Sequence, residues 1–124
     1  MSLLLDTHVL LWWLEGSRLT EAVVARIADP GQLVLVSAAS IWEAAIKGSL
    51  GKLETPEALG AAAIEEGFKP LPITLDHAER AGSLPPHHRD PFDRMLVAQA
   101  LTERLTLVTH DPAFRPYGLD LLPV

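Results

Sequence analysis

An α/β fold built on a parallel sheet of four to five strands is the expectation from this sequence, on three observations. Apolar runs of strand length alternate with segments of helical period, the order that βαβ units produce. Polar and acidic residues close those runs, Asp6 after the first and Thr109-His110-Asp111 after a late one, where an open parallel sheet presents the carboxyl ends of its strands. The 124 residues are 48% apolar, show no internal repeat and spread their ten prolines along the chain, which fits one compact domain over 1–124.

In order, the chain opens on Leu3-Leu4-Leu5, a strand stopped by Asp6. A helix over His8–Glu15 follows, apolar at Val9, Leu10, Leu11, Trp12, Trp13 and Leu14. That is apolar nearly all round, more than one sheet-facing stripe uses, so either neighbouring helices (Thr20–Ala28, Ala38–Lys47) or another chain must cover the remainder. The second helix is read over Thr20–Ala28 and the second strand over Leu33–Val36. Across Ala38–Lys47, Ile41, Trp42, Ala45 and Ile46 form one apolar arc and Ser40, Glu43 and Lys47 share the opposite stripe. Pro56–Glu66 reads as a helix, and Leu71-Pro72-Ile73 as a strand that its proline confines to an edge. Asp76–Ala81 is a short helix. Pro91–Arg104 starts with Asp90 as cap and Pro91 in the first turn. Leu105–Val108 is the fourth strand and Leu119–Leu122 the fifth.

Composition excludes several classes. Lys and Arg number 10 against 16 Asp and Glu, a net charge of −6, which disfavours a strongly basic nucleic-acid module or a membrane-surface patch. Cysteine is absent, so thiol nucleophiles, thiolate zinc sites and disulfides are excluded, and a reducing cytoplasm is compatible. The longest apolar run, Val9 to Leu14, is far short of the ~20 residues a spanning helix needs, and the N-terminal residues lack signal-peptide character, so a soluble, uncleaved protein without membrane contact is expected. There is no glycine-rich phosphate loop, no Gly-x-Ser-x-Gly and no paired Ser/His base.

The candidate chemistry therefore lies in carboxylates, each with a structural alternative. Asp6 is a strand-end site residue or the N-cap of the helix it precedes. Glu43 is catalytic, or half of an exposed ion pair with Lys47 four residues on. Asp93 stands between Leu96 and Ala100 on one side of a helical wheel and Val97 and Leu101 on the other, so it faces the sheet. A carboxylate so placed needs a partner or a metal, because burying it alone costs several kcal/mol or forces its protonation. Asp111-Pro112 repeats the cap-then-proline pattern of Asp90-Pro91, yet follows a strand as Asp6 does. A parallel α/β fold brings these acids to one sheet edge, and one or two divalent ions, Mg²⁺ or Mn²⁺ given oxygen-only donors, would relieve their repulsion. The histidines are scattered; His87-His88 beside Pro85-Pro86 read as surface loop residues, while His8 and His110 lie near the acids.

Leu4-Leu5-Asp6-Thr7-His8, Ser40-Ile41-Trp42-Glu43, Asp90-Pro91-Phe92-Asp93-Arg94 with Ala98-Gln99-Ala100, and Leu107-Val108-Thr109-His110-Asp111 occur in that order. This series resembles the PIN-domain ribonucleases, most closely the VapC-type toxins of bacterial toxin–antitoxin pairs, over Leu3 to Phe114. The resemblance implies a three-layer α/β/α fold and a Mg²⁺ or Mn²⁺ site that cleaves RNA endonucleolytically, with Asp6, Glu43, Asp93 and Asp111 as the catalytic, metal-holding acids. It makes Thr7, Ser40 and Thr109 their hydrogen-bonding supports and Asp90 an additional acid. It also implies a homodimer, a cytoplasmic setting and a cognate antitoxin whose tail enters the active-site groove, with a cation of that tail reaching Asp6 or Glu43. The chemistry would be metal-activated water attacking a phosphodiester in line, with no side-chain nucleophile. Arg94 and Lys47, with Arg89 and Arg115, are candidate phosphate contacts, or simply solvated cations.

Rival functions fit less well. A phosphomonoesterase with an Asp nucleophile needs a second Asp two residues on, where His8 stands. A receiver-type signalling domain needs a lysine after the late strand, and none follows Val108. The alternative that keeps the fold is a catalytically inactive PIN scaffold binding RNA or protein.

Overall fold

The computed structural model describes residues 2–124. β1 (Leu3–Leu5), β2 (Val34–Ser37), β3 (Lys69–Leu71), β4 (Thr106–Thr109) and β5 (Leu121–Pro123) form one sheet in the order β3-β2-β1-β4-β5, every neighbouring pair parallel. The helices are α1 (Thr7–Glu15), α2 (Glu21–Ala28), α3 (Ala38–Ser49), α4 (Leu59–Glu65), α5 (Leu75–Ser83) and α6 (Pro91–Glu103), with a 3₁₀ helix over Pro112–Tyr117. β1 is central and enclosed on both faces, as its unbroken leucines require.

The strand period of two sorts the core into two halves. Leu3, Leu5, Val34, Val36 and Val108 join Val9 and Leu10 of α1, Val23 of α2, Ala44 of α3 and Ala63 of α4. Leu4 and Leu107 point the other way, onto Leu96, Val97 and Ala100 of α6 and Phe114 of the 3₁₀ helix. Helices therefore cover both sheet faces in three α/β/α layers. Connections from β1 lead to β2 on one side while β4 lies on the other, so strand order reverses between β1 and β4, and a crevice at their carboxyl ends is the expected ligand position.

Boundaries differ from expectation where backbone geometry intervenes. The third strand lies at Lys69–Leu71, two residues earlier than read, so Pro70 rather than Pro72 is the strand proline; β3 is an edge, which tolerates it. α4 begins at Leu59, not Pro56, because Ala58 adopts a left-handed φ of 53° that cannot propagate a helix. α5 starts at Leu75 under a reciprocal cap between Thr74 and His77. The apolar excess of α1 is covered within the chain more fully than its helical neighbours alone suggested. The Trp13 ring packs at 5.8 Å from Phe68 and its Nε1–H donates to Glu66 at 2.9 Å. Trp12 sits against His110, with the Arg18 guanidinium 5.6 Å from its ring centre. The large aromatic left open is Trp42, 60% exposed on α3.

A buried polar network locks α3 and α6 beside the sheet. Ser37 caps α3 by accepting from the Ala39 amide and donates to Gln99 Oε1 at 2.6 Å. Gln99 Nε2 donates to the Pro72 carbonyl and faces His77 Nδ1, which also accepts the Thr74 amide.

Candidate active site

Asp6 ends β1 and caps α1. Its Oδ1 accepts the His8 amide at 2.8 Å and its Oδ2 accepts the Thr109 hydroxyl at 2.6 Å, which ties β1 to β4 at the reversal point. Asp111, two residues past β4, has the same division of labour: Oδ1 accepts the Ala113 amide at the start of the 3₁₀ helix, and Oδ2 faces the site. For both acids a cap and a second contact are compatible, since a carboxylate has two oxygens and the cap uses one. Asp90 is a cap as read, its Oδ1 accepting the Phe92 and Asp93 amides.

Glu43 is buried, 3% exposed, so the solvent-exposed ion pair is corrected. The stripe that looked outward from the helical wheel faces α1 across the sheet edge: Thr7 donates to Glu43 Oε1 at 2.6 Å, and Lys47 grips Oε2. Lys47, expected as a phosphate contact, is thus engaged by Glu43, and the Glu43 carboxylate raises its pKa. Ser40 makes none of the expected hydrogen bonds; its hydroxyl is buried with no partner.

Asp93 enters from the first turn of α6. Burial pushes its carboxyl up to about 8, with the negative charges of Asp90, Asp6, Glu43 and Asp111 adding to the shift. The Asp6 carboxyl is also raised, chiefly by burial, against the lowering effect of its Thr109 and His8 hydrogen bonds. The four predicted acids and Asp90 therefore share one electrostatic neighbourhood. A divalent cation suits it: the donors are hard carboxylate oxygens, and an ion would offset both the burial and the neighbouring negative charges that hold the Asp93 carboxyl near 8. Oxygens of Asp93 and Asp111 and a ring nitrogen of His88 lie within 4.8 Å of one another.

His88, read as a surface loop residue, is instead inside the site. Its Nε2 lies 3.0 Å from Asp93 Oδ2 and 3.3 Å from Asp111 Oδ2, and its ring packs at 5.5 Å from Phe114. The sequence signal was its place two residues before the Asp90 cap, a distance from which a loop folds back over the helix start. Arg94, expected to hold phosphate, is engaged within the chain. Its guanidinium donates to the main-chain carbonyls of Ala81, Leu84, Pro85 and His88, clamping the loop between α5 and α6. Tyr117 braces the loop's other side, accepting the His88 amide and donating to the Pro85 carbonyl. Arg89 and Arg115 are exposed. Phe92 stacks edge-on with Trp42 at 5.0 Å, joining the α6 start to α3.

Solved structures sharing this fold include VapBC2 from Rickettsia felis bound to a promoter DNA fragment (TM-score 0.74, 14% identity, 99% of this chain and 98% of that one). DNA-bound VapBC from Salmonella typhimurium matches with TM-score 0.74 and 19% identity over 99% and 98% of the two chains. A toxin–antitoxin complex from Klebsiella pneumoniae matches with TM-score 0.69 and 25% identity over 98% and 96%. Among curated proteins none matches. The family model of the PIN domain covers residues 3–118, from the first strand through the 3₁₀ helix that Asp111 caps, and the chain belongs to the PIN-domain family.

Proposed function

We propose that this protein is a Mg²⁺- or Mn²⁺-dependent endoribonuclease, the VapC-type toxin of a toxin–antitoxin pair acting in the cytoplasm. The observation that carries the reading is the gathering of Asp6, Glu43, Asp90 and Asp111 around a buried Asp93, whose carboxyl is raised to about 8 by burial, with those charges adding. Asp6, Glu43, Asp93 and Asp111 would hold the ions, which when bound supply Lewis-acid polarisation of the phosphate and activation of water. Thr109 and the His8 amide keep Asp6 oriented, and Thr7 and Lys47 keep Glu43 oriented, so the acids need little rearrangement to receive substrate. The test is cleavage of a mixed RNA pool. The wild type cleaves with Mg²⁺ or Mn²⁺ and stops in EDTA, and Asp6→Asn loses at least ~10²-fold because the charge that attracts the ion is gone. Cleavage that persists in EDTA, or in purified Asp6→Asn, overturns the reading.

The partner half of the proposal rests on an apolar groove of about 660 Å³ against the α3 face opposite Glu43, lined by Ile41, Trp42, Ile64, Phe68 and Leu71 among others. The neighbours from R. felis, S. typhimurium and K. pneumoniae are toxin–antitoxin assemblies, which supports an antitoxin segment as the occupant here. A large exposed aromatic at a groove rim is a typical anchor, so Trp42→Ala is expected to weaken binding of the co-encoded small protein by ~10–100-fold in calorimetry. Unchanged affinity would remove the groove from the interface. The isolated chain is proposed to be a homodimer, to be read by light scattering at micromolar concentration.

A further inference from the structure

We propose that His88 is a positioning residue of the acidic site, a fixed N–H donor that spans Asp93 and Asp111 and holds the two carboxylates in the spacing that receives the ion. This inference rests on the metal-nuclease reading above. The Asp90 amide points at His88 Nδ1 at 3.2 Å, and an amide can only donate, so Nδ1 is the acceptor and the ring proton sits on Nε2. Nε2, which carries that proton, hydrogen-bonds Asp111 Oδ2 at 3.3 Å and lies 3.0 Å from Asp93 Oδ2. The two acids belong to different elements, α6 and the turn after β4, and repel each other when both are ionised, so a donor shared between them opposes their separation.

The residue is held at its backbone and at one ring face. The His88 carbonyl accepts from Arg94, its amide donates to Tyr117 and its face meets Phe114. The same geometry argues against direct ligation. For Nε2 to bind a metal its proton would have to move to Nδ1, which would set that N–H against the Asp90 N–H. An imidazole that orients carboxylate ligands from outside the coordination sphere changes metal affinity without contributing a metal–nitrogen bond.

Three measurements on the full chain test this. Nitrogen NMR of ¹⁵N-histidine-labelled, metal-free protein should show Nε2 protonated and Nδ1 bare at His88; the opposite tautomer overturns the proposal. Mn²⁺ titration followed by EPR should show His88→Ala binding weaker by ~10-fold or more, with His88→Gln, whose amide restores an N–H donor at the Nε2 position, within ~threefold of wild type. Pulsed EPR of the wild-type Mn²⁺ complex should show no directly bound nitrogen; finding one makes His88 a ligand and overturns the positioning role. Melting temperatures of the variants separate loss of the donor from loss of the fold, and equal Mn²⁺ loss in a stably folded His88→Gln also overturns the proposal. Wild-type binding with His88→Ala unchanged overturns this inference alone, whereas no Mn²⁺ binding by any of the proteins overturns the metal reading with it.

Discussion

Asp93→Asn is expected to lower metal-dependent RNA cleavage by at least ~10³-fold and, in the same protein, to raise the melting temperature of the metal-free form at pH 8. The two effects share one cause. Asp93 sits among Asp90, Asp6, Glu43 and Asp111, and burial with those charges lifts its carboxyl to about 8. A carboxyl whose folded-state pKa lies above its unfolded value of 3.8 contributes stability that is present below that value and is lost as pH rises through about 8. The metal-free wild type should therefore become less stable across that range, while Asn, isosteric and uncharged, removes the dependence. A gain on the order of 5 °C at pH 8 is expected, shrinking toward acid pH. Millimolar Mg²⁺ should stabilise the wild type and leave the variant almost unmoved. Thermal melts at pH 5 and pH 8, with and without Mg²⁺, decide it; a variant that is less stable than wild type at pH 8 without metal would show that Asp93 holds the fold rather than the ion.

Phe114→Ala is expected to destabilise the protein by ~3–5 kcal/mol, a large part of the stability of a domain this size. Phe114 is fully buried and belongs to the core half formed by Leu4, Leu96, Leu107 and Ala100. It also backs the His88 ring, so the cavity opens directly beneath the site. Urea unfolding should show a reduced midpoint with little change in slope. A cost below ~1 kcal/mol would mean that the 3₁₀ helix collapses into the space, and that His88 does not depend on this ring.

The site was legible in unequal parts. Asp6, Asp90 and Asp111 announce themselves because capping is a local property: an acid after an apolar run, or before a proline, puts a carboxylate oxygen on amides two residues away. Asp93 was legible from helical period alone, as a charge in the middle of an apolar arc. Glu43 was not. Its spacing to Lys47 describes an exposed pair as well as a buried one, and only Thr7, 36 residues distant in sequence, distinguishes them. Arg94 and His88 were misread for the same reason. A polar side chain in or beside a loop has many solvated conformations, and its commitment to main-chain carbonyls, as for Arg94, or to carboxylates, as for His88, depends on how that loop closes.

The sequence by itself determined the order of strands and helices, the apolar faces of the strands and the caps of Asp6, Asp90 and Asp111, because these follow from a period of two and from hydrogen bonds that span a few residues. Tertiary structure decided which acids became neighbours and which cations were free to meet a ligand. The reversal between β1 and β4 sets Asp6 against Thr109 across 103 residues, and the loop held by Arg94 and Tyr117 carries His88 to Asp111. Such contacts are made by side chains distant in sequence, where no period operates, and their geometry exists only once the sheet has brought the elements together.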